Sequence, residues 1–129
     1  MENLTPHFIR EEFACKCGCG RDNMSLILVG CLQIFRHLVN EPIIITSGCR
    51  CEMYNKSVGG VDNSLHIVHS TNDLNVKYPF ARAVDWTVSN KRKLKRINNM
   101  FVSSWFGGWH FYEKDNFIHT DVGSLRRWE

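Results

Sequence analysis

A chain of 129 residues with 43% hydrophobic and 12% aromatic residues is long enough for one hydrophobic core and too short for two independent ones. Sixteen Lys and Arg against thirteen Asp and Glu leave a formal charge of +3, too little to indicate a nucleic-acid partner although it suits an anionic substrate surface. No apolar run approaches the roughly 18 residues of a membrane span, and the opening "MENLTPHFIREEF" lacks the basic and apolar regions of an export signal, so cytoplasmic synthesis without membrane insertion is expected.

The clearest helix comes early in the chain. From Met24 to Val39 the residues Met24, Ile27, Leu28, Cys31, Leu32, Phe35 and Leu38 recur at steps of three and four, which sets one helical face against a core. Pro42 stops the helix, and the β-branched run Ile43 to Thr46, bounded by Ser47 and Gly48, reads as a buried strand with Arg50 just past its end. "CEMYNKSVGG" makes a short helical turn that Gly59 and Gly60 break, and "VDNS" is a loop leading to His66. In "ARAVDWTV" the alternation places Ala83, Asp85 and Thr87 on one face of a strand. Ser89 or Asn90 caps a second amphipathic helix with the face Leu94, Ile97, Phe101, Val102 and Trp105, while the charges of "KRKLKR" stay solvated. "WHFYE" and "NFIHTDV" read as two strands joined by a polar turn around Lys114 and Asp115. Helices and antiparallel strands in this order predict an α+β domain with one small sheet, spanning residues 1–129 as a single unit and expected to be a monomer.

Six cysteines are many for a cytoplasmic chain of this size. Reduced thiols are the default without an export signal, with disulfides or a structural zinc site drawn from Cys15, Cys17, Cys19 and Cys51 as the alternatives.

A catalytic zinc takes about three protein ligands and keeps one open position for water. His66, an aspartate and His119 supply suitable nitrogen and oxygen donors, and the aspartate is either Asp73 or Asp85. Asp85 is preferred because "ARAVDW" is a strand, whereas "HSTND" is a polar loop. A competing reading makes the cysteine-rich region the metal site and the histidines incidental.

The contexts of these residues resemble the zinc D-Ala-D-Ala peptidases and related murein peptidases, a group that includes VanX-like dipeptidases, phage endolysins and the Hedgehog-type zinc fold. The likeness runs through "FIREEFACKCGC", "PIIITSGCR", "YNKSVGGVDNSLH", "ARAVDW" and "FGGWHFYEKDNFIHTDVGSLRRW". The family pattern S-x-H-x-x-G-x-A-x-D is met by Ser64, His66, Ala83 and Asp85, and a later H-x-D by His119 and Asp121. In the family the aspartate usually follows its histidine by seven positions, where Asp73 stands; Asp85 lies nineteen after His66, an excess of twelve residues equal to "HSTNDLNVKYPF". Enlarging a surface loop costs little closure entropy, so such an insert can bulge outward as a substrate wall. His69 within it reads as a surface histidine first and a substrate contact second.

The resemblance implies zinc held by His66, Asp85 and His119, with Ser64 and Arg50 at the substrate and Arg50 stabilising the oxyanion. It implies hydrolysis of peptide bonds in peptidoglycan stem peptides or cross-links, by a D-Ala-D-Ala carboxypeptidase or an endolysin-type endopeptidase. A phage-type lysin released to the cell wall, or a virion-borne domain, suits the absence of an export signal. VanX-like members carry a glutamate three residues before the last zinc histidine, and here that position is Asn116. Glu113, six residues before His119 where the Hedgehog-type pattern places its glutamate, is the first candidate for proton acceptor, Asp121 the second, with orientation of a zinc ligand as its other reading, and His110 the third. The alternative in another class is a non-catalytic zinc-binding or wall-binding module of the same fold.

Overall fold

Ser25 opens the longest helix by accepting the Leu28 backbone N–H on its hydroxyl at 3.3 Å, and Asn40, at φ 50°, closes it in the left-handed conformation. This helix, α1 (Leu26–Val39), belongs to a computed structural model that describes residues 2–69, 80–100, 107–123 and 126–127, the side chains of Met100, Arg126 and Arg127 excepted. Its buried face is Leu28, Val29, Leu32, Phe35 and Val39, each apolar side chain contributing about 1.5–3 kcal/mol. The predicted face is rotated: Ile27 and Leu38 are 74% and 50% exposed, because the helix starts two residues after Met24, which instead bridges to Ala81.

Before α1 the chain forms a small hairpin, β1 (Asn3–Thr5) and β2 (Phe8–Ile9), followed by a 3-10 turn (Arg10–Phe13). Phe8 and Phe13 enter the core, and Gln33 of α1 holds the hairpin by accepting the His7 backbone N–H at 2.8 Å.

The main sheet has five strands in the order β3-β4-β6-β5-β7. They are β3 (Ile44–Ser47), β4 (Ala83–Thr87), β5 (Gly108–Tyr112), β6 (Phe117–Asp121) and β7 (Arg126–Arg127). All pairings are antiparallel except that of β5 with β7. The expected α+β class is what the chain adopts. β3 is a correction in detail: it lies at the sheet edge with Ile44 46% exposed, since an edge strand packs only one face on the core.

Between β3 and β4 lies the short helix α2 (Glu52–Ser57), and after β4 comes α3 (Lys91–Met100), capped by Asn90, whose Oδ1 accepts the Lys93 N–H at 3.2 Å. Leu94 and Ile97 of α3 are buried as its periodicity predicts, whereas Phe101, Val102 and Trp105 lie outside the described residues.

Alternation along β4 and β6 divides the sheet into two chemistries. Val84, Trp86, Ile118 and Thr120 face α1, with Trp86 edge-on to Phe35 and its Nε1–H donated to the Thr120 hydroxyl at 3.2 Å. Asp85, His119 and His110 fall on the other face, in one row across three strands, since Asp85 pairs with His119 and His110 with His119.

Candidate metal centre

His66 is delivered by a loop that fastens itself on both sides. The Ser64 hydroxyl accepts the His66 N–H at 3.2 Å, and the Arg50 and Val68 amides bond to the His66 and Arg50 carbonyls at 2.8 Å each. On the ring, Nδ1 lies 2.7 Å from the Gly48 carbonyl oxygen. A carbonyl only accepts, so Nδ1 carries the hydrogen and Nε2 of the neutral ring presents a lone pair. That Nε2 is buried, makes no hydrogen bond among the described residues, and stands 3.3 Å from Asp85 Oδ1. Gly48 has no substitute here, because a Cβ would meet the Phe13 carbonyl oxygen at 2.8 Å.

Strand pairing brings in the other two donors. Asp85 and His119 are register partners, and His119 Nδ1 lies 2.9 Å from the same Asp85 Oδ1. His119 Nε2 is 2.9 Å from Asp121 Oδ2, while Asp121 Oδ1 accepts the backbone N–H groups of Gly108 and Gly123 at 3.1 and 3.0 Å. Burial pushes the Asp85 carboxyl up, but the imidazoles of His119 and His66 outweigh it and hold it well below the usual carboxylate range. For His119 burial disfavours the charged ring, yet hydrogen bonds to Asp121 and Asp85 prevail and raise its pKa.

The ligand atoms of His66, Asp85 and His119 all lie within 4.8 Å of one another. A lone pair on His66 Nε2 aimed at a carboxylate is repulsive unless a proton or a cation lies between, and two imidazole nitrogens with one carboxylate oxygen are donors zinc accepts. The three residues therefore fit a metal ion, and Asp121 is placed to fix the His119 ring so that Nδ1 faces it.

Arg50 borders this centre. Its guanidinium donates to the Ser47 hydroxyl at 3.2 Å, to Asn55 Oδ1 at 3.1 Å and to Asp85 Oδ2 at 3.4 Å, which leaves the planar group held from three sides. Both Arg50 and Ser64 line a cleft of about 890 Å³ with the centre at its floor. The loop of residues 58–65 forms one wall, and Tyr112 stacked on Phe117 at 4.6 Å contributes to the other.

Sequence reasoning does not single out Asn55. It is buried, accepts from Arg50 and donates Nδ2–H to the Val61 carbonyl at 2.8 Å, so it locks the arginine and the cleft wall together. The available signal is the glycine pair after it: a Cβ on Gly60 would collide with the Asn55 amide.

The geometry changes the order of the proton-acceptor candidates. Glu113 is not brought to the centre: it opens the turn between β5 and β6, is 66% exposed and pairs with Lys95 at 3.4 Å. The chain reverses between Glu113 and His119, so nearness in sequence does not bring the carboxylate to the ring. Asp121 reaches His119 but is fully buried, its two oxygens occupied by the ring and two backbone amides, which suits orientation and not proton traffic. His110 stands directly across from His119 on β5 and packs edge-on against Tyr112 at 4.4 Å. Asn116 sits at φ 65° in that turn, a left-handed position asparagine tolerates and glutamate does not.

His69 takes the surface reading, 45% exposed and 3.4 Å from Glu52. Asp73 lies outside the described residues. The chain on either side of that stretch is pinned, since the Arg82 N–H donates to the Leu65 carbonyl at 2.7 Å and Ala81 bonds to Asn23 at 2.8 Å.

With this geometry the comparison with known proteins agrees. Residues 6–121 match the model of the family Peptidase M15, and the chain belongs to that family. Its members are peptidases of the zinc-dependent D-Ala-D-Ala carboxypeptidase type. None of the curated proteins searched matches the chain.

Proposed function

We propose that this protein is a zinc metallopeptidase that hydrolyses peptide bonds in peptidoglycan, as a D-Ala-D-Ala carboxypeptidase or an endolysin-type endopeptidase. The observation that carries the reading is the convergence of His66 Nε2, which makes no hydrogen bond among the described residues, the Asp85 carboxylate and His119 Nδ1 on the floor of a cleft bordered by Arg50. Zinc held there supplies a Lewis acid for the scissile carbonyl and lowers the pKa of bound water. Arg50, fixed by Ser47, Asn55 and Asp85, presents donors where negative charge develops on the carbonyl oxygen. Arg82 adds a second guanidinium to the lining, which suits the carboxylates of stem peptides. His110 is the proton acceptor in this reading, since Glu113 and Asp121 are committed elsewhere. Ser64 both lines the cleft and holds the turn that presents His66.

The test is incubation of zinc-loaded protein with purified peptidoglycan, followed by mass spectrometry of released material and titration of new amino groups. Free D-Ala marks a carboxypeptidase, and split cross-link peptides with falling turbidity mark an endopeptidase. Arg50→Lys keeps the charge but loses the fork, and should lower kcat by about 10²–10³ with zinc content unchanged. Protein that holds zinc and pellets with cell walls yet releases no amine is a binding module, and that outcome overturns the hydrolase reading.

A further inference from the structure

The N-terminal cysteines form a second constellation that the cleft chemistry does not use. Cys15, Cys17, Cys19 and Cys51 bring their sulfurs within 4.8 Å of one another, with Cys15 and Cys17 at 3.4 Å and Cys17 and Cys51 at 3.7 Å. These separations are too long for disulfides, whose S–S bond is about 2.05 Å, and all four thiols are free. Four thiolates around one tetrahedral ion, each about 2.3 Å from it, would sit roughly 3.8 Å apart. The observed spacing is that of a single-ion cage, too tight to enclose a polynuclear cluster.

The backbone is arranged to serve the sulfurs. Gly18 at φ 84° and Gly20 at φ 88° let the "CKCGCG" segment curl back on itself, and Cys15 N–H closes the loop on the Arg21 carbonyl at 2.8 Å. The two buried sulfurs also meet backbone amides: Cys51 N–H donates to Cys15 Sγ at 3.4 Å and Tyr54 N–H to Cys51 Sγ at 3.3 Å. Such N–H···S bonds stabilise thiolates bound to a metal and orient their lone pairs. Two of the four cysteines are buried, and Arg21, bonded to Glu52 and to the Val68 carbonyl at 2.8 Å each, closes one side.

We infer that Cys15, Cys17, Cys19 and Cys51 bind one zinc ion as a structural four-thiolate site, which staples residues 15–19 to the segment beginning directly after Arg50. Sulfur ligands in a closed tetrahedral set with no open position select zinc and assign it no catalytic role. Each thiol releases its proton to solvent on binding, so that zinc with four thiolates forms a dianionic centre beside the Arg21 guanidinium.

Protein purified under reducing conditions should carry two zinc ions per chain by elemental analysis. The Cys17→Ser/Cys19→Ser double variant should carry one fewer, His66→Ala should retain the thiolate-bound ion, and Cys31→Ser, outside the cluster, should keep both. Cobalt loaded in place of zinc should give sulfur-to-metal charge-transfer absorption in wild type and in His66→Ala. Cys19→His, which preserves a ligand, should keep the ion and alter that spectrum, a result that loss of folding cannot imitate. A wild-type protein holding a single ion that disappears with the cysteine pair leaves this site standing and removes the peptidase centre. The inference is overturned by cobalt protein without sulfur charge transfer, by a double variant with unchanged zinc content, or by an unreduced mass showing these cysteines joined as disulfides.

Discussion

Replacing Asp121 by Asn tests whether this residue orients a zinc ligand or moves protons. In the native site Oδ1 accepts two backbone amides and Oδ2 faces His119 Nε2 at 2.9 Å. The asparagine oxygen is claimed by the two amides, since turning it away would strand both buried N–H groups at about 1–3 kcal/mol each. The NH2 group then meets His119 Nε2, which must become an acceptor, and the ring proton moves to Nδ1. Nδ1 is the atom 2.9 Å from Asp85, so the proton occupies the place of the metal. Loss of an orienting partner of this kind typically costs 10–100-fold in metal affinity, or about 1.4–2.7 kcal/mol. Competition against a chelating dye should therefore show zinc binding weakened by that factor in Asp121→Asn. At saturating zinc, kcat should recover most of its wild-type value. Unchanged zinc affinity with a kcat that stays low would refute the orientation argument and return Asp121 to the role of base.

Other consequences follow from the same geometry. Glu113→Gln should leave turnover of peptidoglycan and zinc content as they are, because its carboxylate is bound to Lys95 on the protein surface; a fall of tenfold or more would put the glutamate back in the reaction. Asn116→Gly should be neutral or stabilising in thermal denaturation, and Asn116→Ala destabilising by about 1–2 kcal/mol, since only the latter must bear the left-handed backbone with a Cβ and no compensating amide. Gly48→Ala should lose both stability and zinc, because the new Cβ forces the Phe13 backbone away from the carbonyl that holds His66 Nδ1; a well-folded, zinc-replete variant would contradict this. The metal-free protein should be most stable at mildly acid pH. Asp85, with its lowered pKa, contributes above its unfolded value of about 3.9 and loses that contribution as pH falls through the folded one; His119, with its raised pKa, contributes below about 6.5 and loses it as pH rises through the folded one. Zinc must displace the His119 proton, so its affinity should show the opposite trend and fall as pH drops, which melts with and without chelator across pH 4 to 8 will reveal.

How far the chain announces all this depends on the range of the interactions involved. β4 and the pair β5 and β6 are legible because alternation is local, and the same alternation fixes Asp85 and His119 on one face once the strands pair. The position of the proton acceptor is not legible, because it turns on where the hairpin reverses, and a shift of that turn moves Glu113 from the cleft to the surface. α1 shows the limit in another form: its apolar residues occupy more than one face, so periodicity alone admits a rotation that leaves Ile27 outside and Val29 inside. Asn55 is hard to find for a different reason: apart from the glycine pair after it, a lone polar residue in a short helix acquires its meaning only when Arg50 and Val61 fold around it.

The hydrogen bond from Arg82 to Leu65 joins two points of the chain on either side of the long insertion, next to His66 and Asp85. It acts as a drawstring. Between the ties made by Val68 on one side and Ala81 on the other, the chain can change in length without altering the spacing of the two ligands, because closing a longer loop costs little entropy.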